Sequence, residues 1–249
     1  SRRPVSVIES PGTGEARERS ALEEGLPVAA VPQPADAADL WIVGRVRAAE
    51  ARANPFAHWR IADVLPDDLV RQFAALPFAP HSTLGLSGRR ELHNAYRRYV
   101  AGPMLQNAPA RRLAEAFQST LLADALATVA GARLAGTFVR IEYALDGDGF
   151  WLEPHTDLGV KRLTFFIQLG DPGQEDLGTD LYAGPRTWFE RTPFSWNAGV
   201  LFVPSDDTWH GFEPRTIPGV RRSLIVNYVT DAWRERGQLA FPDRPVGAG

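Results

Sequence analysis

The sequence predicts a mostly β domain with flanking helices, and three observations carry that prediction. From Leu134 onward, short runs of β-branched and aromatic residues alternate with Gly, Pro and Asp turns. Before that point, apolar residues recur at helical spacing instead. The chain has 249 residues, 44% of them hydrophobic, which is enough to bury a core without disulfide staples.

The elements follow in order. Residues 1–35 are rich in Pro, Gly, Ser, Glu and Ala and read as a flexible arm. Residues 36–235 read as a single domain, helical over 36–131 and β over 134–230. Ile42, Val46, Ala49 and Ala53 predict a helix within 36–54, with Gly44 a weak point inside it. Residues 57–61 read as a short strand, and Pro66 opens a helix carrying Leu69, Val70, Phe73 and Leu76. Residues 79–108 are irregular. Residues 111–130 read as one helix, striped by Leu113, Phe117, Leu121, Leu122, Leu126 and Val129 and stopped by Gly131. Strands are expected at 136–143, 149–155, 161–169, 178–182, 186–191, 199–204, 208–213 and 221–229, with Asp146-Gly147-Asp148-Gly149 as a turn. Eight strands after a helical region suggest a double-stranded β-helix, the jelly roll of cupin-like proteins, with its helices packed on one sheet. The tail, 236–249, reads as loose.

Composition narrows the function classes. The net charge is −3, so there is no basic footprint for nucleic acid. There is no cysteine, which removes thiolate metal sites and cysteine nucleophiles together. No apolar run is long enough for a spanning helix and no signal peptide is evident, so the expected location is cytoplasmic, with no membrane partner. Oligomeric state stays open.

The chemistry is concentrated in three places. His155-Thr156-Asp157 is followed 55 residues later by His210, and 11 residues after that by Arg221. Two imidazoles and a carboxylate are the smallest set that holds a non-haem ferrous iron while leaving positions open for a cosubstrate and dioxygen. On a strand, His155 and Asp157 point to the same side. A strand over 221–228 places Arg221, Ser223, Ile225 and Asn227 on one face, and Arg222, Leu224, Val226 and Tyr228 on the other. A guanidinium fork on that first face suits a carboxylate. The same period puts Thr164, Phe166 and Gln168 together on a second wall.

These residues, with Trp209-His210-Gly211-Phe212, the run from Arg221 to Tyr228 and the Pro55-Phe56-Ala57-His58-Trp59 stretch, resemble the Fe(II)/2-oxoglutarate-dependent dioxygenases, in particular the prolyl-hydroxylase-like branch. The resemblance spans about residues 55–230. It implies iron ligated by His155, Asp157 and His210, and 2-oxoglutarate with its distal carboxylate on Arg221 and Ser223. It also implies a polar cosubstrate contact at Gln168 and a tyrosine contact at Tyr143; Thr164 and Asn227, by strand period alone, are further candidates to meet the cosubstrate. The reaction implied is hydroxylation of an unactivated C–H bond with release of succinate and CO2.

Each residue also has a plainer role open to it. Buried His and Asp are often ordinary hydrogen-bonded core groups. Arg221-Arg222 can be a surface pair, and Lys161 near the pocket is more usually solvated. If Tyr143 faces the cavity, Arg140 and Glu142 face away. Trp151 is a candidate substrate contact or a core residue. Arg97 and Asn94 are candidate substrate contacts or part of a solvated charged loop. The expected partner is a small polar metabolite. The alternatives are a peptide or protein side chain and, in another class, a cupin-like isomerase or binding module that uses no 2-oxoglutarate.

Overall fold

The computed structural model describes residues 37–80, 88, 97–157 and 159–247. The arm expected over 1–35 and the candidate Asn94 lie outside these residues. Two antiparallel sheets face each other. Seven strands form the larger: β1 (Glu50–Arg52), β2 (His58–Ile61), β3 (Arg98–Tyr99), β4 (Phe138–Asp146), β6 (Lys161–Leu169), β9 (Trp196–Phe202) and β11 (Arg221–Val229). Their order is β1-β2-β9-β6-β11-β4-β3. The smaller sheet is β5-β10-β7-β8, made of β5 (Leu152–His155), β7 (Asp180–Tyr182), β8 (Trp188–Arg191) and β10 (His210–Phe212). This is the double-stranded β-helix expected from the alternating runs.

The larger sheet separates two different interiors. On its outer face, Val139, Ile141, Tyr143, Leu163, Phe165, Ile167, Leu224, Val226 and Tyr228 meet apolar residues from the helices in one continuous core. The inner face turns towards the smaller sheet. β11 runs centrally between β4 and β6, so its alternation sets both interiors at once. A hydrogen bond of 2.6 Å from the Tyr228 hydroxyl to the Phe117 carbonyl ties the sheet to the helical layer.

Four α-helices are seen among the described residues. In α1 (Ala38–Arg47), Ile42, Val43 and Val46 are buried. α2 (Asp67–Ala74) follows Pro66, carries two aspartates in its first turn where the helix dipole favours them, and buries Leu69, Val70 and Phe73. The long helix expected over 111–130 is two helices, α3 (Ala108–Gln118) and α4 (Thr120–Ala130). Ser119 breaks it with extended backbone (ψ 130), and its hydroxyl donates to Asp39 on α1. The break rotates the second stripe: Leu122 and Leu126 are buried while Leu121 is exposed. Gly131 closes α4 at φ 69, as a left-handed C-terminal residue.

The tail differs from expectation too. Leu239 and Val246 are buried, Leu239 bridges Arg140, and the Val246 N–H donates to the Thr137 carbonyl. Its polar and proline-rich composition hid a few apolar anchors spaced too far apart to show a period.

The smaller sheet is pinned by a buried carboxylate. Asp180 accepts from the Glu213 N–H, the Trp188 indole N–H, Arg191 Nε and Arg215 Nη1 at 2.8–3.0 Å. Burial alone would raise its pKa, but these donors outweigh it and hold the carboxyl below the usual range. The unfolded chain therefore takes up this proton first as pH falls. The resulting stability is complete above the ordinary carboxylate range and is lost from about pH 5 downward. Asp180→Asn should cost about 3–5 kcal/mol at neutral pH by stranding two arginines. It should also flatten the acid limb of stability, measured by urea unfolding at pH 7 and pH 4. An unchanged acid limb would refute this account of Asp180.

Candidate metal centre and cavity

His155 ends β5 and His210 begins β10, and the two are direct cross-strand partners. Their ring centroids are 4.4 Å apart. The close approach depends on Gly211. A Cβ there would stand 2.8 Å from the Leu152 carbonyl oxygen, so any side chain would push β10 away from β5. Asp157 follows His155 after one residue. One donor atom from each of His155, Asp157 and His210 lies within 4.8 Å of the others.

The imidazoles are oriented by the main chain. His155 Nδ1–H donates to the Glu153 carbonyl at 2.8 Å, and His210 Nδ1–H to the Thr208 carbonyl at 2.9 Å. A main-chain carbonyl can only accept, so each Nε2 is left with the lone pair. Asp157 is buried, which by itself would raise its pKa. The Lys161 ammonium at 2.8 Å holds the carboxyl far below the usual range. Two lone-pair nitrogens and an ionised carboxylate suit a divalent first-row ion such as Fe(II).

The donor set opens on a cavity of about 290 Å³ between the sheets. Phe150, Leu152, Phe166, Phe212 and Ile225 supply its apolar wall. The polar wall holds Arg97, Arg140, Glu142, Lys161, Thr164, Gln168, Thr179, Arg221 and Ser223.

Arg221 and Ser223 face this cavity, as the strand period predicts. Arg221 Nε donates to the Leu177 carbonyl and Nη1 to Asp146, at 2.8 and 2.9 Å. Phe212 lies 4.5 Å from its guanidinium carbon. Burial draws the Arg221 pKa below its ordinary value, and Asp146 works against that. Arg222 points the other way and pairs with Asp171 at 2.6 Å. Thr164 and Gln168 share the inner face of β6. Gln168 donates to the Thr192 hydroxyl at 3.3 Å, while its buried Oε1 has no hydrogen-bond partner among the described residues. Asn227 sits fully buried behind Thr164 and donates to its hydroxyl at 3.0 Å.

Tyr143 is placed elsewhere. Its ring packs against Phe73 at 4.9 Å in the helical core, and Arg140 and Glu142 take the inner face of β4 in its stead. The reading that put Tyr143 inside and the two charges outside is therefore reversed. Trp151 is also absent from the cavity lining; its ring lies on the backbone of Gly88. Arg97 does reach the cavity, paired with Glu142 at 3.1 Å and Asp146 at 2.5 Å. Lys161, read as solvated, is held on Asp157. Its position four residues after Asp157 was the available signal.

No protein-family model matches the chain, and no curated protein does. Among solved structures, a prolyl hydroxylase from Trichoplax adhaerens, in complex with a hypoxia inducible factor oxygen degradation domain peptide fragment, aligns with a TM-score of 0.52 at 13% identity, over 78% of this chain and 89% of that one. The chain has the fold of that hydroxylase. A Pseudomonas putida prolyl-4-hydroxylase aligns at a TM-score of 0.49 and 17% identity, over 76% of this chain and 91% of its own. The non-heme alpha ketoglutarate dependent epimerase SnoN from nogalamycin biosynthesis aligns at 0.46 and 18%, over 85% and 91%. No helix among the described residues is long and apolar enough to cross a membrane.

The placement of Tyr143 has a direct test. Tyr143→Phe should leave binding of a dicarboxylic cosubstrate essentially unchanged in an anaerobic titration, because the ring lies on the far side of the sheet. A large loss of affinity would put the residue back at the site.

Proposed function

We propose that this protein is an Fe(II)- and 2-oxoglutarate-dependent dioxygenase that hydroxylates an unactivated C–H bond of a small polar metabolite. The overall reaction converts 2-oxoglutarate, dioxygen and R–H to succinate, CO2 and R–OH. The observation that carries this reading is the convergence of His155, Asp157 and His210 at a cavity that also holds Arg221 and Ser223. Bound there, iron with 2-oxoglutarate would supply dioxygen activation and hydrogen abstraction.

The chain's own residues supply position and exclusion of water. Two of the five N–H groups of Arg221 are spent on Leu177 and Asp146, which fixes the guanidinium. Its Nη2 amino group and the Ser223 hydroxyl are left for the distal carboxylate of 2-oxoglutarate. The rings of Phe194 and Phe212 flank the guanidinium at 5.2 and 4.5 Å, and apolar neighbours at that point strengthen the contact. The cavity volume of about 290 Å³ and the charged lining favour a small polar substrate over a long chain.

Arg221→Ala should weaken 2-oxoglutarate binding by about 2–5 kcal/mol, roughly 30- to several-thousand-fold, with metal uptake retained. Arg222→Ala should change it little. Anaerobic titration of the Fe(II)-loaded protein measures both. A screen of small metabolites and peptides for succinate release then separates the substrate classes. Absence of any 2-oxoglutarate binding would favour a cupin-like isomerase or binding module instead.

A further inference from the structure

We propose that Arg140, Asn227 and Thr164 form a positioning chain that fixes the plane of the Asp157 carboxylate. The inference rests on the metal reading of His155, Asp157 and His210. These residues are direct partners across three neighbouring strands: Arg140 opposite Asn227, and Asn227 opposite Thr164. Each is hydrogen-bonded to the next, and the last reaches the carboxylate. Arg140 Nη1 donates to Asn227 Oδ1 at 3.0 Å. Asn227 Nδ2 donates to Thr164 Oγ1 at 3.0 Å, and Thr164 Oγ1 donates to Asp157 Oδ2 at 2.8 Å.

The direction of the chain is forced. A guanidinium has no acceptor, so Asn227 must turn its carbonyl oxygen towards Arg140. Its amide nitrogen then faces Thr164. The threonine hydroxyl has one proton; receiving a bond from Asn227, it gives that proton to Asp157. All three dipoles run from a cation to an anion, an arrangement in which successive bonds strengthen one another.

The far end is held as firmly as the near one. Arg140 lies between the rings of Tyr99 and Trp233, each 4.8 Å from its guanidinium carbon. It also bonds Gln238 at 2.9 Å and Glu142 at 3.1 Å. Lys161 holds the other carboxylate oxygen. With both oxygens engaged, rotation of the carboxylate would break a buried bond. A row that only satisfied interior polar groups could end on any acceptor; this one ends on a metal ligand.

Co(II) uptake, followed by its visible d–d bands, tests the role without turnover. Thr164→Val keeps the shape and removes the hydroxyl. It should weaken Co(II) binding by about 10- to 100-fold and alter the band pattern. Thr164→Ser restores the donor and should restore both. Thr164→Ala serves as a second hydroxyl-free variant if valine is not tolerated, and urea unfolding of each metal-free variant separates positioning from stability. Native affinity and spectrum in the hydroxyl-free variants would overturn the proposal. So would a loss in Thr164→Ser equal to that in Thr164→Val. If the native chain itself takes up no Co(II), or if His210→Ala binds it equally well, the metal reading falls and this inference falls with it.

Discussion

The register of β11 is the constraint on which the rest depends. One face of this strand carries Leu224, Val226 and Tyr228 into the helical core, and the other carries Arg221, Ser223, Ile225 and Asn227 inward. A slip of one residue would exchange the two sets. It would place the Asn227 amide among Phe117, Phe165 and their neighbours, and tyrosine and leucine among the inward polar groups. Neither half could tolerate the other's residues, so core packing and site assembly are a single event. The neighbouring strands obey the same rule, which is why Thr164 and Gln168 meet Asn227 and Ser223 directly.

Inside the barrel, charge alternates along a path. Arg140, Glu142, Arg97, Asp146 and Arg221 follow one another as cation, anion, cation, anion, cation, with each contact at 2.5–3.1 Å. Burying any one of them alone would be costly, and pairing in sequence offsets that cost. The path also keeps the Arg221 guanidinium oriented in advance, so binding a carboxylate requires little reorganisation there.

Much of this was legible from periodicity. The spacing of two separated Arg221 from Arg222, and the eight-strand pattern led to the double-stranded β-helix. The failures have two causes. In β4, Arg140 and Glu142 alternate with Val139, Ile141 and Tyr143, and the pattern itself was visible. Placing Tyr143 inward by resemblance turns Arg140 and Glu142 outward, whereas every residue of β4 is buried and the charged face looks into a polar lumen. The break at Ser119 rests on a bond to Asp39, 80 residues away, and the docking of Leu239 and Val246 on contacts with β4 and its approach. Such long-range partners leave no local periodicity to read.

Gly211 gives the site an unusual kind of vulnerability. It has no functional group and contributes nothing to charge, yet the opposition of His155 and His210 relies on its missing side chain. A survey of single substitutions would find position 211 as intolerant as a ligand, even towards alanine. Judged by loss of activity alone, it would be mistaken for a chemical participant. What separates the two is the remedy: a lost ligand can be replaced by another donor, whereas no side chain of any chemistry replaces empty space.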